Sequence, residues 1–274
     1  MTEHEWLTSA EPAAMLEFLR AAAGINFYHV SDRKLRLFAC ACCHTVWHLI
    51  TDERSRRAVE VAELFADGKA TKEETFHLAS SCTTIARCLM PSWDASEEAR
   101  MFLETAHMHN SAILPVCVAL LRDIIGNPFR PVTLPCEKRK CGRCKGDGDH
   151  LGTYPWDCSN CHGTGEVDGD CPWLTDTVVG LVRAAYEERQ PDGTIDPDRL
   201  AILADALEDA GCPSLIPCET GCKKVNGTYR VNGEICPSCY GSSGGTENPL
   251  LMALRDAGQV FRGFWPMDLL LGKN

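Results

Sequence analysis

Cys141-Gly142-Arg143-Cys144 is followed, after thirteen residues, by Cys158-Ser159-Asn160-Cys161. Two close thiol pairs at that separation can converge on one tetrahedral Zn²⁺. The layout returns as Cys218 and Cys222, a second thirteen-residue spacer, and Cys236-Pro237-Ser238-Cys239. An arrangement repeated within one chain marks a repeated structural unit. Four thiolates close the shell of a zinc ion and leave no position for a reactive water, so both quartets are predicted to be structural, with two Zn²⁺ per chain. The intervals that hold them, 132–171 and 213–248, are short and poor in large apolar side chains. An apolar core cannot order segments of that size, whereas metal binding can.

Working outward, the flanking segments read as helices. Ala14, Met15, Phe18, Leu19 and Ala22 line one face of a helix from Glu11 to Ala23. Ser31 is placed to cap a helix reaching Ile50, Thr51 to cap one ending at Asp67-Gly68, and Thr71 with Glu74 forms a capping box for a fourth that stops before Pro91. Helical spacing continues from Ser92 to Ile125, bent or divided at Pro115, and Gly126 to Pro131 is a loop. After the first Cys-rich interval, Thr175 and then Asp196-Pro197 open two more helices, and Asn248-Pro249 opens another toward Gly258. The apolar tail from Phe261 to Leu271 is expected to pack on the helical core. The predicted fold is mainly α: a multi-helix domain (1–131, 172–212 and 249–274) with two small four-cysteine zinc-knuckle or ribbon insertions (132–171 and 213–248) containing short β-hairpins.

Two resemblances follow from these residues. Cys141-Gly142-Arg143-Cys144-Lys145-Gly146-Asp147-Gly148 and Cys158-Ser159-Asn160-Cys161-His162-Gly163-Thr164-Gly165 match C-x-x-C-x-G-x-G and so resemble the zinc-binding region of DnaJ-type co-chaperones. The second quartet departs from it: Cys236 to Gly244 is one residue too long, and Cys218 to Lys224 lacks the glycines. In that family outer knuckles pair with outer and inner with inner. Here a helical segment separates the quartets, which favours ligation within each interval. No His-Pro-Asp tripeptide is present, so J-domain activity is not implied.

The helical segments look like a large bacterial family of paralogous helical proteins. Glu5-Trp6-Leu7, Met15 to Arg20, Ser31 to Cys40, Leu121-Arg122-Asp123-Ile124 with Gly126 to Val132, Leu203 to Cys212 and Asp268 to Lys273 carry this likeness. It implies an architecture in which both metal modules are loop insertions, and a bacterial origin, but no chemistry.

Composition narrows the function. With 45% hydrophobic and 24% charged residues the chain is an ordinary globular one, and its formal charge of −11 opposes broad attraction to phosphate. It contains no run of 18 apolar residues and no secretory signal pattern, which points to the cytoplasm, where seventeen cysteines would stay reduced, metal-bound or buried. Lys138, Arg139, Lys140, Arg143, Lys145, Lys223, Lys224 and Arg230 make the module tips basic against an acidic body. That charge reads as solvated surface or, alternatively, as a contact to a partner or to nucleic-acid phosphate.

Cys40, His44 and His48 recur one turn apart and can in principle hold a metal, but small thiols filling a helix contact explain them better. His107 and His109 diverge on a helix. Cys136 and Cys171 flank the first quartet and can substitute for one of its members, while Cys82, Cys88, Cys117 and Cys212 read as packing. No phosphate loop, H-E-x-x-H or G-x-S-x-G motif occurs. The expected role is therefore a non-enzymatic, zinc-stabilised module that binds a protein partner, with nucleic-acid binding as the alternative and an enzyme built on the helical Cys and His residues as a third.

Overall fold

The computed structural model describes residues 1–22, 30–80, 113–136, 138–141, 166–169, 171–217, 223–225, 228–231, 234–235 and 245–273. They form two compact units. The first comprises Met1–Val132, Leu181–Ile202 and Ala253–Asn274; the second comprises Thr133–Gly180 and Leu203–Met252.

The first unit is helical, and several of its helices begin where a side chain satisfies a leading N–H group, although Ser31, predicted as a cap, precedes its helix without such a bond. α1 (Glu3–Thr8) opens with a capping box in which the Glu5 amide donates to the Thr2 hydroxyl and the Thr2 amide to the Glu5 carboxylate. This helix is absent from the sequence reading, although Thr2 and Glu5 carry the same signal as Thr71 and Glu74. α2 spans Pro12–Ala22, α3 Asp32–Thr45, α4 Glu53–Ala66, α5 Lys72–Ser80 and α6 Leu114–Ile125. The Thr71–Glu74 box forms as expected before α5. The cap of α4 is Asp52, one residue later than Thr51, because its carboxylate accepts the Arg54 amide.

α3 also ends earlier than predicted. The Thr45 hydroxyl donates to the Cys42 carbonyl at 2.7 Å, competing with helix propagation, and the chain turns into a 3₁₀ segment over Trp47–Leu49. Pro115 lies in the first turn of α6, where its missing N–H is harmless.

α3 packs on α4 and α6, α4 on α5, and α2 on α6. Trp6, Met15, Phe38, Val59, Leu121 and Ile124 are buried in one shared core with Phe261. The tail docks as predicted and contributes a short helix, α10 (Trp265–Leu270), with Met267 and Leu270 buried. Gly263, at φ +88°, makes that docking sterically feasible: a Cβ there would lie 3.1 Å from the Leu37 side chain.

Polar clamps set in this apolar frame join distant segments. The Arg122 guanidinium donates to the carbonyls of Trp6 and Ser9, and Asn127 and Arg130 both reach the Glu3 carboxylate, fixing α1 against the end of α6. The Arg33 guanidinium grips Asp268 through two bonds of 2.6 and 2.8 Å, donates to Asp67 at 2.9 Å and to the Tyr186 hydroxyl at 2.8 Å. Lys273 completes the cluster with a 3.1 Å bond to Asp67. Asp67 and Asp268 are almost wholly removed from solvent, so their charge is supportable only with these partners.

The second unit contains the small sheets. β1 (Lys138–Lys140) pairs antiparallel with β2 (Glu166–Asp168), and β3 (Leu215–Pro217) pairs antiparallel with β7 (Gly245–Glu247). β4 (Lys223–Val225), β5 (Thr228–Val231) and β6 (Glu234–Ile235) make a three-stranded antiparallel sheet. α7 (Asp176–Glu187), α8 (Pro197–Asp209) and α9 (Pro249–Arg255), each of which has residues in both units, start where predicted, after Thr175, Asp196 and Asn248. Trp173, Val178, Leu207, Cys212 and Leu250 are buried in this unit. Among the described residues, no helix is long and apolar enough to cross a membrane.

Removing one member of the Arg33 cluster should unfold the first unit more readily. Asp268→Ala is expected to cost about 3–5 kcal/mol in denaturant titration, because it strips a mostly buried guanidinium of two of its four hydrogen bonds. Acid should act through Asp67: burial opposes its ionisation, but Arg33 and Lys273 hold its carboxyl below the usual range. Its contribution is then complete above the unfolded carboxylate pKa of about 4 and fades as pH falls through the lower folded value. Denaturant midpoints measured down the acid range should decline less steeply for Asp67→Asn than for the wild type; identical slopes would contradict the assignment.

Candidate metal centre

The first Cys-rich excursion leaves and rejoins the chain through β1 and β2. Their register sets Lys138 opposite Asp168, Arg139 opposite Val167 and Lys140 opposite Glu166. Basic and acidic residues are thus register partners at two of three positions, a sequence pattern that favours this pairing. Directly after β1, beyond the exposed Arg139 and Lys140, Cys141 is wholly buried. It is the one nominated zinc ligand among the described residues; Cys144, Cys158, Cys161, Cys218, Cys222, Cys236 and Cys239 lie outside them.

Just outside the ladder, Cys136 and Cys171 are joined as a disulfide, with Cα atoms 4.7 Å apart. Sequence reasoning treated them as spare ligands, because nothing local indicates that residues 35 apart share the base of a hairpin. In chain-entropy terms, closing a loop of that length restricts the unfolded state by about 3–4 kcal/mol.

Among the described residues, the base of the second excursion is closed by close strand packing and hydrogen bonds. β3 and β7 approach so tightly that a Cβ on Gly245 would lie 2.7 Å from the Ile216 carbonyl. Asn248 then fastens the base from one side: its side-chain amide donates to the Pro213 carbonyl at 2.8 Å and approaches the Cys212 sulfur at 3.5 Å. Its backbone amide donates to Ser214, and its side-chain oxygen accepts from the Leu250 amide to cap α9. Asn248 was foreseen as a cap; its second task was not.

The described basic residues lie on two of the small sheets. Lys138, Arg139 and Lys140 belong to the base strand β1, whereas Lys223, Lys224 and Arg230 belong to a different sheet, in which Lys223 stands directly opposite Arg230. Arg143 and Lys145 lie outside the described residues.

The Cys40, His44 and His48 alignment is not realised. Helix α3 stops at Thr45, so the 3₁₀ turn carries His48 off its face and into solvent. His44 is buried, stacked on Trp47 and Phe261, with Nε2 2.9 Å from a Glu63 oxygen, and Arg189 pairs with the other oxygen. Burial works against ionisation of Glu63, but the His44 hydrogen bond and the Arg189 and Arg262 charges hold its carboxyl low.

The turn at Gly193, φ +86°, lies against the same imidazole so closely that a Cβ would meet Nδ1 at 2.3 Å. The ring is therefore walled in. Cys40, Cys42, Cys43, Cys117 and Cys212 are buried, in keeping with packing, and Cys42 and Cys117 sulfurs are 3.6 Å apart. Cys82, Cys88, His107 and His109 fall outside the described residues. Among the described residues, no three His, Cys, Asp or Glu side chains gather closely enough to hold a metal ion.

Compared with known protein families, with curated proteins and with solved structures, the chain gives no match.

Asn248→Ala should loosen the base of the second excursion and uncap α9 together. The expected cost is about 1–3 kcal/mol, with faster amide exchange at Ile216 and Thr246; unchanged exchange at those strands would contradict the double role.

Proposed function

We propose that the chain is a non-enzymatic interaction module: a helical body carrying two excursions, each ordered by one structural Zn²⁺, that present surfaces to a protein partner. Cys141, Cys144, Cys158 and Cys161 would hold the first ion, and Cys218, Cys222, Cys236 and Cys239 the second. The observation that carries this reading is Cys141. A thiol wholly buried immediately after an exposed basic strand, in an interval with few apolar side chains to bury it, suits a ligand turned inward on a metal.

The sheet pairs at each base bring the entering and leaving chain together, which reduces the entropy that four ligands must overcome to converge. Structural zinc contributes about 10–16 kcal/mol to folding in modules of this kind. The reading takes the likeness to the bacterial helical family as common architecture, and the likeness of the knuckles to the DnaJ-type region as shared metal chemistry.

A protein partner is favoured because Glu166 and Asp168 oppose the basic residues of β1 and the chain is acidic overall. Half-exposed Leu215 and Ile235 add apolar surface of the sort proteins bind. The like-charge pair Lys223 and Arg230 favours a second reading, in which that sheet contacts nucleic-acid phosphate. Salt-dependent nucleic-acid binding lost on reversing those two charges would select it.

Elemental analysis of the purified protein tests the first reading. Two zinc ions per chain are expected, Cys141→Ser should retain one, and a variant lacking all four second-quartet cysteines should also retain one. Loss of both ions from that last variant would mean ligation across the quartets. A zinc-free protein whose 142–165 segment resists proteolysis would overturn the reading.

A further inference from the structure

Exposure separates one pair of cysteines from the others described. Cys40, Cys42, Cys43, Cys117, Cys141 and Cys212 are buried, whereas Cys136 and Cys171 are only half-buried and face each other. Thiol–disulfide exchange requires a thiolate and an open approach to sulfur. Burial closes that approach for the first set; it also raises the Cys42 thiol well above its ordinary value and pushes Cys212 up to about 11.

Geometry favours the half-buried pair as well. A Cα separation of 4.7 Å lies inside the ordinary range of about 4.4–6.8 Å for bridged cysteines, so joining them needs no backbone movement. Their position gives the bond a distinct mechanical effect. The Lys138–Asp168 pair begins the ladder just inside them, so opening the bond leaves three residue pairs to hold the mouth of the excursion.

We propose that Cys136 and Cys171 form a reversible latch on the first excursion, closed and opened by exchange with a low-molecular-weight disulfide and thiol such as oxidised and reduced glutathione. The latch lies outside the zinc quartets and does not depend on the zinc reading. In closing, one of the two thiolates attacks a sulfur of the small disulfide, whose S–S bond breaks and whose first half leaves as a thiolate and takes up a proton. The other protein thiolate then attacks the protein sulfur of the mixed disulfide, expelling the second half as a thiol. Two protein thiols are oxidised, one small disulfide is reduced to two thiols, and the protons released by the cysteines are those taken up by the leaving groups. An excess of the reduced thiol reverses both steps.

With the latch closed, Cys136 and Cys171 are joined covalently just outside the β1–β2 ladder. With it open, the described part of the base is held by the β1–β2 pairs, so presentation of the first excursion to a partner is coupled to the thiol balance around it.

The test uses the full-length protein as purified, with its metal. Samples equilibrated in glutathione buffers of graded oxidation ratio are acid-quenched, alkylated and digested without reduction. Mass analysis should find a peptide pair linking Cys136 to Cys171, rising from about a tenth to about nine-tenths across a roughly hundredfold change in that ratio. Two thiols per chain should disappear, metal content should hold constant, and added reductant should reverse the change. Proteolysis within 142–165 should be faster in the reduced sample and in Cys136→Ser/Cys171→Ser.

Alkylation of both cysteines at every ratio would overturn the latch. So would one fewer zinc ion in the double variant, since the pair would then be metal ligands. If the purified chain holds no zinc but the linked peptide still responds, the zinc reading fails and the latch stands.

Discussion

The Arg33 guanidinium is the interaction on which the helical unit depends. Four of its contacts come from residues far apart in the chain: Asp67 at the end of α4, Tyr186 on α7 and both oxygens of Asp268 on α10. A charge so buried is stable only when its partners are all in place. Apolar packing alone could bring α3, α4, α6 and α10 together in several neighbouring registers. Matching one planar fork to two carboxylates and a phenol leaves far fewer. Arg122 and Glu3 repeat the device at the other end of the unit, holding the first helix and the 126–131 loop by directed bonds.

The Cys-rich excursions follow a different logic. They have few large apolar residues, so order has to be imposed at their bases and, on the zinc reading proposed above, by thiolate ligation of a metal. The two bases solve the same problem by different chemistry. A sulfur–sulfur bond beside a charge-matched ladder closes the first, and one asparagine with a close glycine-to-carbonyl approach closes the second. On the proposed latch, this difference makes the base of the first excursion the one that responds to thiols, among the described residues.

Most local signals in the sequence are legible, although Ser31 makes no capping bond and the cap of α4 falls at Asp52, one residue past Thr51; non-local signals are not. Thr71 with Glu74, Thr175, Asp196 before Pro197 and Asn248 before Pro249 mark helix starts because a cap is a contact within three residues. The helix at Glu3–Thr8 offered the same signal but is too short for an apolar stripe to draw attention to it. The end of α3 depended on one hydroxyl turning back on its own helix, and missing it made Cys40, His44 and His48 look aligned. Arg33 and Asp268 are 235 residues apart, and no periodicity connects them. Strand register is equally non-local: Lys138, Arg139 and Lys140 read as part of a basic tip until Glu166 and Asp168 are seen across from two of them. The thiol quartets stood out because metal chemistry fixes close spacings, yet spacing says nothing of Cys136 and Cys171.

The central claim is that each Cys-rich excursion is folded around a zinc ion held by sulfur alone. X-ray absorption at the zinc edge of the purified protein tests it most directly. Four sulfur scatterers per ion at about 2.3 Å, with no nitrogen or oxygen in the shell, is the predicted result. A shell containing nitrogen or oxygen donors, or purified protein with no zinc to measure, would contradict it.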